Sequence, residues 1–215
     1  MTDPRRHGIL KYVKPLQQTS EVLATTYDAA LLDLDGVIYI GDDAVPGVVP
    51  FLNQANQEHG IALTCITNNA ARSATTVAGH LQQLGLAVTV DDVVTSAQAA
   101  AAELARLVPQ SSTVYILGSP DLAAEIEAVG LTPSQDPDAH YEAIVQGYWP
   151  DMPWRMLAVA TKIINAGALW VATNTDWTIP TQYGTSPGNG TMVQALKIAT
   201  GKEPVLVAGK PESPL

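Results

Sequence analysis

The sequence contains little cysteine and few basic residues, and it has no long apolar run. Its one cysteine, Cys65, excludes a disulfide within the chain. Cys65 lies in the apolar segment Ile61–Ile66, which predicts a small buried side chain and not a catalytic thiol. No segment approaches the ~18 apolar residues of a membrane-spanning helix, and the amino-terminal segment lacks the apolar stretch of a secretory signal. We therefore expect a cytoplasmic protein.

Basic side chains are scarce, since 11 Lys and Arg residues stand against 21 Asp and Glu residues and give a formal net charge of −10. Arg5, Arg6, Lys11 and Lys14 are close to the amino terminus, so the rest of the chain is still more acidic. Such a surface argues against nucleic acids and anionic membranes as partners. A phosphate substrate would need a locally positive pocket built from a metal ion, a lysine or backbone N–H groups. The 4 histidines show no ligand spacing, so we expect no zinc site.

The 215 residues, 47% of them hydrophobic, suffice for one large domain or two small ones. Apolar runs typical of strands alternate with segments typical of helices, which predicts an α/β fold with mainly parallel sheets. Predicted strands lie at about 29–34, 61–66, 93–95, 114–117, 143–146, 168–172 and 204–208. Predicted helices lie at about 47–59, 73–84, 97–107, 120–129, 153–166 and 190–200, and a small β-hairpin is predicted near 37–40.

These strands are too many for one compact sheet, which predicts a second module within the chain. We divide the chain into an amino-terminal tail, the first part of an α/β domain, an inserted α/β module and the second part of the first domain. The corresponding ranges are 1–26, 27–110, 111–185 and 186–215.

Two carboxylates follow the first predicted strand, because Asp33 and Asp35 are two residues apart and Gly36 comes next. In a continuing strand both would point to the same side, whereas a turn at Gly36 would let them diverge around a ligand. In open α/β sheets, ligands bind at the carboxyl ends of the strands. Carboxylates this close repel each other unless a divalent cation, most often Mg²⁺ beside phosphate, lies between them. A solvated acidic turn is the alternative.

The second predicted strand ends in Thr67, Asn68 and Asn69, just before a predicted helix. Free N–H groups and the helix dipole favour an anion at such a place. The same residue types also favour an N-capping turn without any ligand.

Lys210 follows the last predicted strand in the segment Gly209–Pro211. A lysine there could neutralise both a nucleophilic carboxylate and a transferring phosphate. The segment is not a P-loop, since Pro211 replaces the required Ser or Thr. A solvent-facing lysine at a strand end is the alternative.

The order of these motifs resembles the haloacid dehalogenase-like phosphatases that carry an inserted cap, including the NagD-type, phosphoglycolate and pyridoxal phosphate phosphatases. Segments 33–37, 67–69 and 209–211 match their first three motifs. The resemblance implies a Rossmann-like core with an inserted α/β cap and Mg²⁺ as cofactor. The segments 67–73, 93–98 and 167–172 are most similar to actinobacterial glycerol-3-phosphate phosphatases, which implies glycerol 3-phosphate or a 2-phosphoglycolate-like compound as substrate.

The resemblance implies that Asp33 forms an aspartyl-phosphate and that Asp35 is the general acid/base. Thr67 and Lys210 would bind the phosphoryl group, and Mg²⁺ would bind Asp33 and the backbone carbonyl of Asp35. Further candidate substrate contacts are Gly36, Asn68, Asn69, Trp149, Asn174 and Asn189. For Trp149 simple packing is an alternative, for Asn174 an Asx turn, and for Asn189 a chain reversal; Arg72 could contact an anionic substrate or form a surface salt bridge.

Family members carry a further acidic motif, Gly-Asp-x-x-x-Thr-Asp, whose carboxylate completes the magnesium site, and these 215 residues hold no match to it after Lys210. The resemblance therefore implies a truncated chain that lacks the third carboxylate ligand. Two alternatives to a phosphatase stay open: a non-catalytic phosphate-binding remnant and a phosphomutase. A small phosphorylated metabolite is the expected partner, and the resemblance allows a homodimer through the cap.

Overall fold

The computed structural model describes residues 20–181 and 183–215, and in them strands and helices alternate along most of the chain. The strands are β1 Ala29–Leu32, β2 Tyr39–Ile40, β3 Asp43–Ala44, β4 Ala62–Thr67, β5 Val93–Thr95, β6 Thr113–Leu117, β7 Thr132–Ser134, β8 Ala143–Gln146, β9 Leu169–Ala172, β10 Thr178–Thr181, β11 Gly184–Pro187 and β12 Leu206–Val207. The helices are α1 Leu23–Thr26, α2 Val48–His59, α3 Ala74–Gln83, α4 Ser96–Leu107, α5 Pro120–Ala128, α6 Trp154–Asn165 and α7 Asn189–Thr200. Most of the tail predicted for 1–26 lies outside the described residues, and its last residues form α1.

The first sheet has the parallel order β1-β4-β5. Leu32 of β1 lies beside Cys65 of β4, and Thr67 at the end of β4 lies beside Thr95. Because the three strands run in the same direction, the residues that follow β1 and β4 emerge at one edge of the sheet. β1 is an outer strand of this sheet, and its Leu31 side chain is 71% exposed.

The second sheet has the order β12-β9-β8-β6-β7, and all of its strand pairs are parallel. This arrangement confirms the predicted α/β class with mainly parallel sheets. β12 pairs with β9 through Leu206 and Val171, so the segment that leads to Lys210 starts from the edge of the second sheet. The domain boundaries at 111 and 186 stay predictions.

Helices cover both faces of the second sheet, which explains why its central strands β6, β8 and β9 are largely apolar and buried. Val114 and Ile116 of β6 pack on the side of α4 and α5, in a buried cluster to which the alanine-rich α4 contributes. Tyr115 and Leu117 point to the other side, where they join residues of α6 and α7. The alternation along β6 thus places the sheet between two helical layers.

The described residues also form two antiparallel hairpins, β2–β3 and β10–β11. The first was predicted near 37–40. The second was missed because Pro180 and Pro187 within its strands lack the N–H group of a regular ladder and weaken the strand pattern. None of the helices in 20–181 and 183–215 combines the length and hydropathy that crossing a bilayer requires.

Two glycines in helices provide a matched test of the packing. A Cβ on Gly190 would overlap the backbone oxygen of Thr175, whereas a Cβ on Gly79 in α3 would meet nothing within 4 Å. We expect Gly190→Ala to lower the free energy of unfolding by about 1–3 kcal/mol through overpacking. Gly79→Ala should raise it by roughly 0.5–1 kcal/mol, because alanine loses less conformational entropy in a helix. Urea unfolding measures both, and equal stability of the two variants would contradict the close approach at Gly190.

Candidate active site

The loop after β1 presents two carboxylates on one side of the chain. Leu34 is fully buried between Asp33 and Asp35, both of which are exposed, so the alternation of the strand continues to Asp35. Gly36 then adopts φ +80°, a left-handed conformation that other residues rarely take, and its N–H donates to the Tyr39 carbonyl at 2.8 Å. The chain turns back at Gly36 into β2, so the loop that carries Asp33 and Asp35 is short.

Partial burial raises the pKa of Asp35, and the negative charges of Asp33 and Asp176 raise it further. The cations Arg72 and Lys210 act in the opposite direction and lower this pKa. The charges of two other carboxylates and of two cations therefore act on Asp35 at the edge of the first sheet. A carboxyl group with a raised pKa in such a place suits proton transfer.

Lys210 brings its cation to this acidic loop although it is 177 residues away from Asp33 in the sequence. Its Nζ donates to Asp33 Oδ1 at 2.5 Å and to the carbonyl of Ile66 at 3.0 Å. The Lys210 side chain is 34% exposed, so the ion pair is partly shielded from water. This placement differs from that of a lone solvent-facing lysine, which was the alternative.

The loop after β4 folds around its own polar side chains. Thr67 is 1% exposed, and its Oγ1 accepts a hydrogen bond from the N–H of Asn69 at 3.0 Å. Asn69 Oδ1 in turn accepts from the N–H of Ala71 at 2.8 Å. The N-cap of α3 is Ser73, whose side chain accepts from the N–H of Thr76. The residues 67–69 therefore do not cap the helix, which was the alternative explanation for them.

The side chains of Asn174 and Asn189 link the loop after β4 to α7 through backbone groups. Asn174 Nδ2 donates to the backbone carbonyl of Asn68 at 2.7 Å, and Asn189 Nδ2 donates to the backbone carbonyl of Asn174 at 2.8 Å. Asn174 and Asn189 are only 3% and 2% exposed. Their amides thus bind backbone groups of the protein, and the predicted contacts of these two residues with substrate stay predictions.

Trp149 lines a cavity of about 490 Å³ beyond the carboxyl end of β8. Apolar side chains of Tyr148, Met152, Tyr183 and Met192 form much of its wall, and Asn189 also lines it. The cavity therefore borders Asn189, which is hydrogen-bonded to the backbone of Asn174. Sequence analysis named Trp149 and Asn189 but missed the contribution of the β10–β11 hairpin, because the hairpin itself was missed.

Asp176 is a site residue to which sequence analysis assigned no role. Its carboxylate accepts from Asn68 Nδ2 at 3.1 and 3.3 Å, and its charge acts on Asp35. Asn174, two residues earlier, was named as a candidate, but a contact of Asp176 across 108 residues of sequence could not be derived from the local pattern. Ser96 was also missed; its hydroxyl donates to the Asn68 carbonyl at 2.7 Å.

The donor set suits a hard cation, since Asp33, Asp35 and the nearby backbone carbonyls provide oxygen atoms, which Mg²⁺ prefers. Burial raises the pKa of Asp35 most and the charge of Asp33 raises it next, and a bound cation would offset both effects. Within 20–181 and 183–215, no group of three His, Cys, Asp or Glu side chains could hold a metal ion. Asp33 and Asp35 would therefore supply part of a magnesium site.

Residues 30–132 match the family model of the haloacid dehalogenase-like hydrolases. The chain is 46% identical over 189 residues to the D-glycerol 3-phosphate phosphatase of Mycobacterium tuberculosis. This alignment covers 88% of this chain and 52% of the relative. It is 36% identical over 186 residues to an acid sugar phosphatase of Staphylococcus saprophyticus, covering 86% of this chain and 70% of that protein.

Solved structures of related proteins align with most of this chain. The crystal structure of the M. tuberculosis glycerol phosphate phosphatase in complex with magnesium aligns with a TM-score of 0.85 at 45% identity, covering 91% of this chain and 58% of that one. A 4-nitrophenylphosphatase of Thermotoga maritima aligns with a TM-score of 0.80 at 28% identity, covering 89% and 71%. The chain belongs to the haloacid dehalogenase-like hydrolases, and it spans about half the length of the curated mycobacterial relative, 52%.

Cys65 lies in β4 close to the site, but its thiol is fully buried, as the sequence predicted. Burial raises the pKa of this thiol to about 11. Because the thiolate is the reactive form, we expect no alkylation by iodoacetamide at pH 8 in the folded protein and rapid alkylation after unfolding in urea. Mass spectrometry of the labelled protein measures this. Fast labelling of the folded chain would contradict the burial of β4.

Proposed function

We propose that this chain carries the nucleophile, the acid/base and the phosphate-binding groups of a magnesium-dependent phosphomonoester hydrolase. The contact between Lys210 Nζ and Asp33 Oδ1 is the observation that carries the proposal. It brings the cation of the third motif to the carboxylate of the first, at the sheet edge where Thr67 also lies. Family membership supports the same reaction.

In the proposed mechanism a carboxylate oxygen of Asp33 attacks phosphorus, and the bond between phosphorus and the ester oxygen breaks. Asp35 gives its proton to the departing alkoxide, for which its raised pKa suits it. Asp35 then takes a proton from the water that cleaves the aspartyl-phosphate, and inorganic phosphate leaves. Lys210 neutralises charge on the transferring group and the Thr67 hydroxyl donates a hydrogen bond to it, which matters because the net charge of −10 otherwise repels phosphate.

Asp33 and the backbone carbonyl of Asp35 would hold Mg²⁺, which, when bound, neutralises phosphoryl oxygens and orients them for attack. The mycobacterial relative has a crystal structure with magnesium. We propose that a third carboxylate ligand comes from a segment outside these 215 residues. The outer position of β1 in the first sheet supports this proposal, because it leaves room for a further strand beside Asp33.

For the substrate we propose a small phosphorylated metabolite, with glycerol 3-phosphate as the first candidate and 2-phosphoglycolate as the second. The similarity to a D-glycerol 3-phosphate phosphatase supports the first candidate. The leaving group would lie towards the cavity lined by Trp149, and Gly36 and Asn69 would contact the phosphoryl group through their loops. The cytoplasmic location and a homodimer through the cap stay predictions.

Phosphate release from both compounds tests the proposal. The 215-residue chain and a version extended with the carboxyl-terminal part of the mycobacterial relative are assayed with Mg²⁺ and after removal of Mg²⁺ by EDTA. We expect hydrolysis that EDTA abolishes, with the extended version more active. No hydrolysis by either folded version would refute the proposal and favour a phosphate-binding remnant, and transfer of phosphate within a sugar phosphate would indicate a mutase.

A further inference from the structure

The side chain of Asn68 binds both backbone polar groups of a single residue, Lys210. Asn68 Oδ1 accepts from the Lys210 N–H at 2.8 Å, and Asn68 Nδ2 donates to the Lys210 carbonyl at 3.1 Å. An amide is suited to this task because it carries a donor and an acceptor side by side. Asn68 thus pairs with Lys210 as a neighbouring strand would.

Close packing at Gly209 shows how tightly this pairing is built. A Cβ at Gly209 would lie 2.7 Å from Asn68 Oδ1 and 2.6 Å from the carbonyl oxygen of Thr173. Real Cβ atoms do not approach other atoms so closely, so a side chain there would push the loop away from Asn68. The glycine therefore lets the Lys210 backbone reach the amide.

Asp176 determines which way the Asn68 amide faces. Its two carboxylate oxygens lie 3.1 and 3.3 Å from Asn68 Nδ2, so the opposite orientation would place the amide oxygen against a negative charge. The backbone carbonyl of Asn68 is fixed as well, because the Ser96 hydroxyl and Asn174 Nδ2 both donate to it at 2.7 Å. Both ends of Asn68 are thereby held.

The far end of Lys210 makes its own two contacts, with Asp33 Oδ1 and the Ile66 carbonyl. Since Asn68 Nδ2 already donates to Asp176 and to Lys210, it has no free N–H group for a phosphoryl oxygen. We infer that Asn68, oriented by Asp176, is a positioning residue that holds the backbone of Lys210 and so keeps its amino group against Asp33. The kinetic consequence of this pairing rests on the proposed function, whereas the position of Lys210 can be measured without any activity.

The chain offers a matched control in Asn53, which forms the same kind of bridge elsewhere. Asn53 Nδ2 donates to the Gly85 carbonyl at 2.8 Å, and its Oδ1 accepts from the Ala87 N–H at 2.9 Å. Lys197 is the matched lysine, because it pairs with Glu203 at 2.6 Å and its side chain is 29% exposed. Substitutions at Asn53 should therefore disturb stability but not Lys210.

Competitive acetylation with limiting acetic anhydride, quantified by mass spectrometry, measures how accessible each lysine amine is in the folded 215-residue chain. We expect Asn68→Ala and Asn68→Asp to raise the labelling of Lys210 relative to Lys197 by roughly tenfold, the effect of losing one hydrogen bond to a charged group. Asn53→Asp should leave the ratio unchanged. Unchanged Lys210 labelling in folded Asn68 variants would overturn the inference, and if those variants do not fold, unchanged labelling in Asp176→Ala would overturn it.

Steady-state kinetics provide a second test of the role of Asn68, with whichever of the two versions, the 215-residue chain or the extended one, releases phosphate. We expect Asn68→Ala and Asn68→Asp each to lower kcat by about 10–100-fold with little change in KM, as for other residues that orient a reacting group. In a Lys210→Met background, Asn68→Ala should cost little more, because its effect passes through the lysine. A full additional loss in that background, or a rise in KM alone, would show a direct substrate contact and overturn the inference. Absence of all phosphate release would refute the proposed function but leave the labelling result as it stands.

Discussion

Replacement of Asp33 by asparagine should abolish phosphate release, with a loss of about 10⁴-fold or more in kcat. Asparagine keeps the shape of the side chain but removes the anionic oxygen that would attack phosphorus. It also removes the acceptor charge for Lys210 Nζ, which lies 2.5 Å from Asp33 Oδ1 in the structure. Steady-state assays with glycerol 3-phosphate on the active version measure the loss.

Asp91→Asn is the control for this experiment, because Asp91 is an exposed carboxylate in the 3₁₀ turn Val90–Asp92. It should keep full activity. Acid-quenched samples of the unsubstituted protein should carry phosphate on the peptide that contains Asp33, and the Asp33→Asn samples should not. Substantial phosphate release by a folded Asp33→Asn variant would exclude the aspartyl-phosphate mechanism.

Replacement of Lys210 by methionine should lower kcat/KM by about 10²–10³-fold, the cost of removing one preorganised charge from a transition state. Methionine fills much of the same space, so the loss comes from the charge and from the two contacts of Nζ with Asp33 and Ile66. Lys210→Arg should also be impaired, because a planar guanidinium cannot repeat the contacts of an ammonium group.

Lys197→Met removes a similarly exposed lysine from an ion pair with Glu203 and serves as the control. We expect it to leave kcat/KM within about twofold, since surface ion pairs contribute little. The same assay with phosphate as inhibitor should show weaker phosphate binding in Lys210→Met. Equal kinetics of the Lys210→Met and Lys197→Met variants would exclude a role of Lys210 in the reaction.

Several local elements were predictable because short-range rules decide them. The strand predicted at about 29–34 and the helices predicted at about 73–84 and 120–129 agree with β1, α3 and α5, because apolar periodicity and capping chemistry act locally. The edges of the elements were less predictable. β12 was expected at about 204–208 but covers only Leu206–Val207, since the length of an edge strand depends on its neighbour.

Other features depend on partners that are distant in sequence. The β10–β11 hairpin contributes Tyr183 to the cavity, yet its prolines conceal the strand pattern. Asn68 was assigned to the substrate because its neighbours match a phosphate-binding motif. Its contacts with Lys210 and Asp176 bridge 142 and 108 residues, a distance over which no local pattern carries information.

By itself the sequence determined the α/β class, because apolar strands and helices alternate along it, and it predicted Asp33, Asp35, Thr67 and Lys210 as site residues, because these polar residues follow strand ends. Only the tertiary structure decided that Lys210 meets Asp33, that Asn68 holds the lysine and that Asp176 orients Asn68. The physical reason is range. Propensity and periodicity act within a few residues, whereas these hydrogen bonds form only after parallel strands from separate parts of the chain have aligned their carboxyl ends.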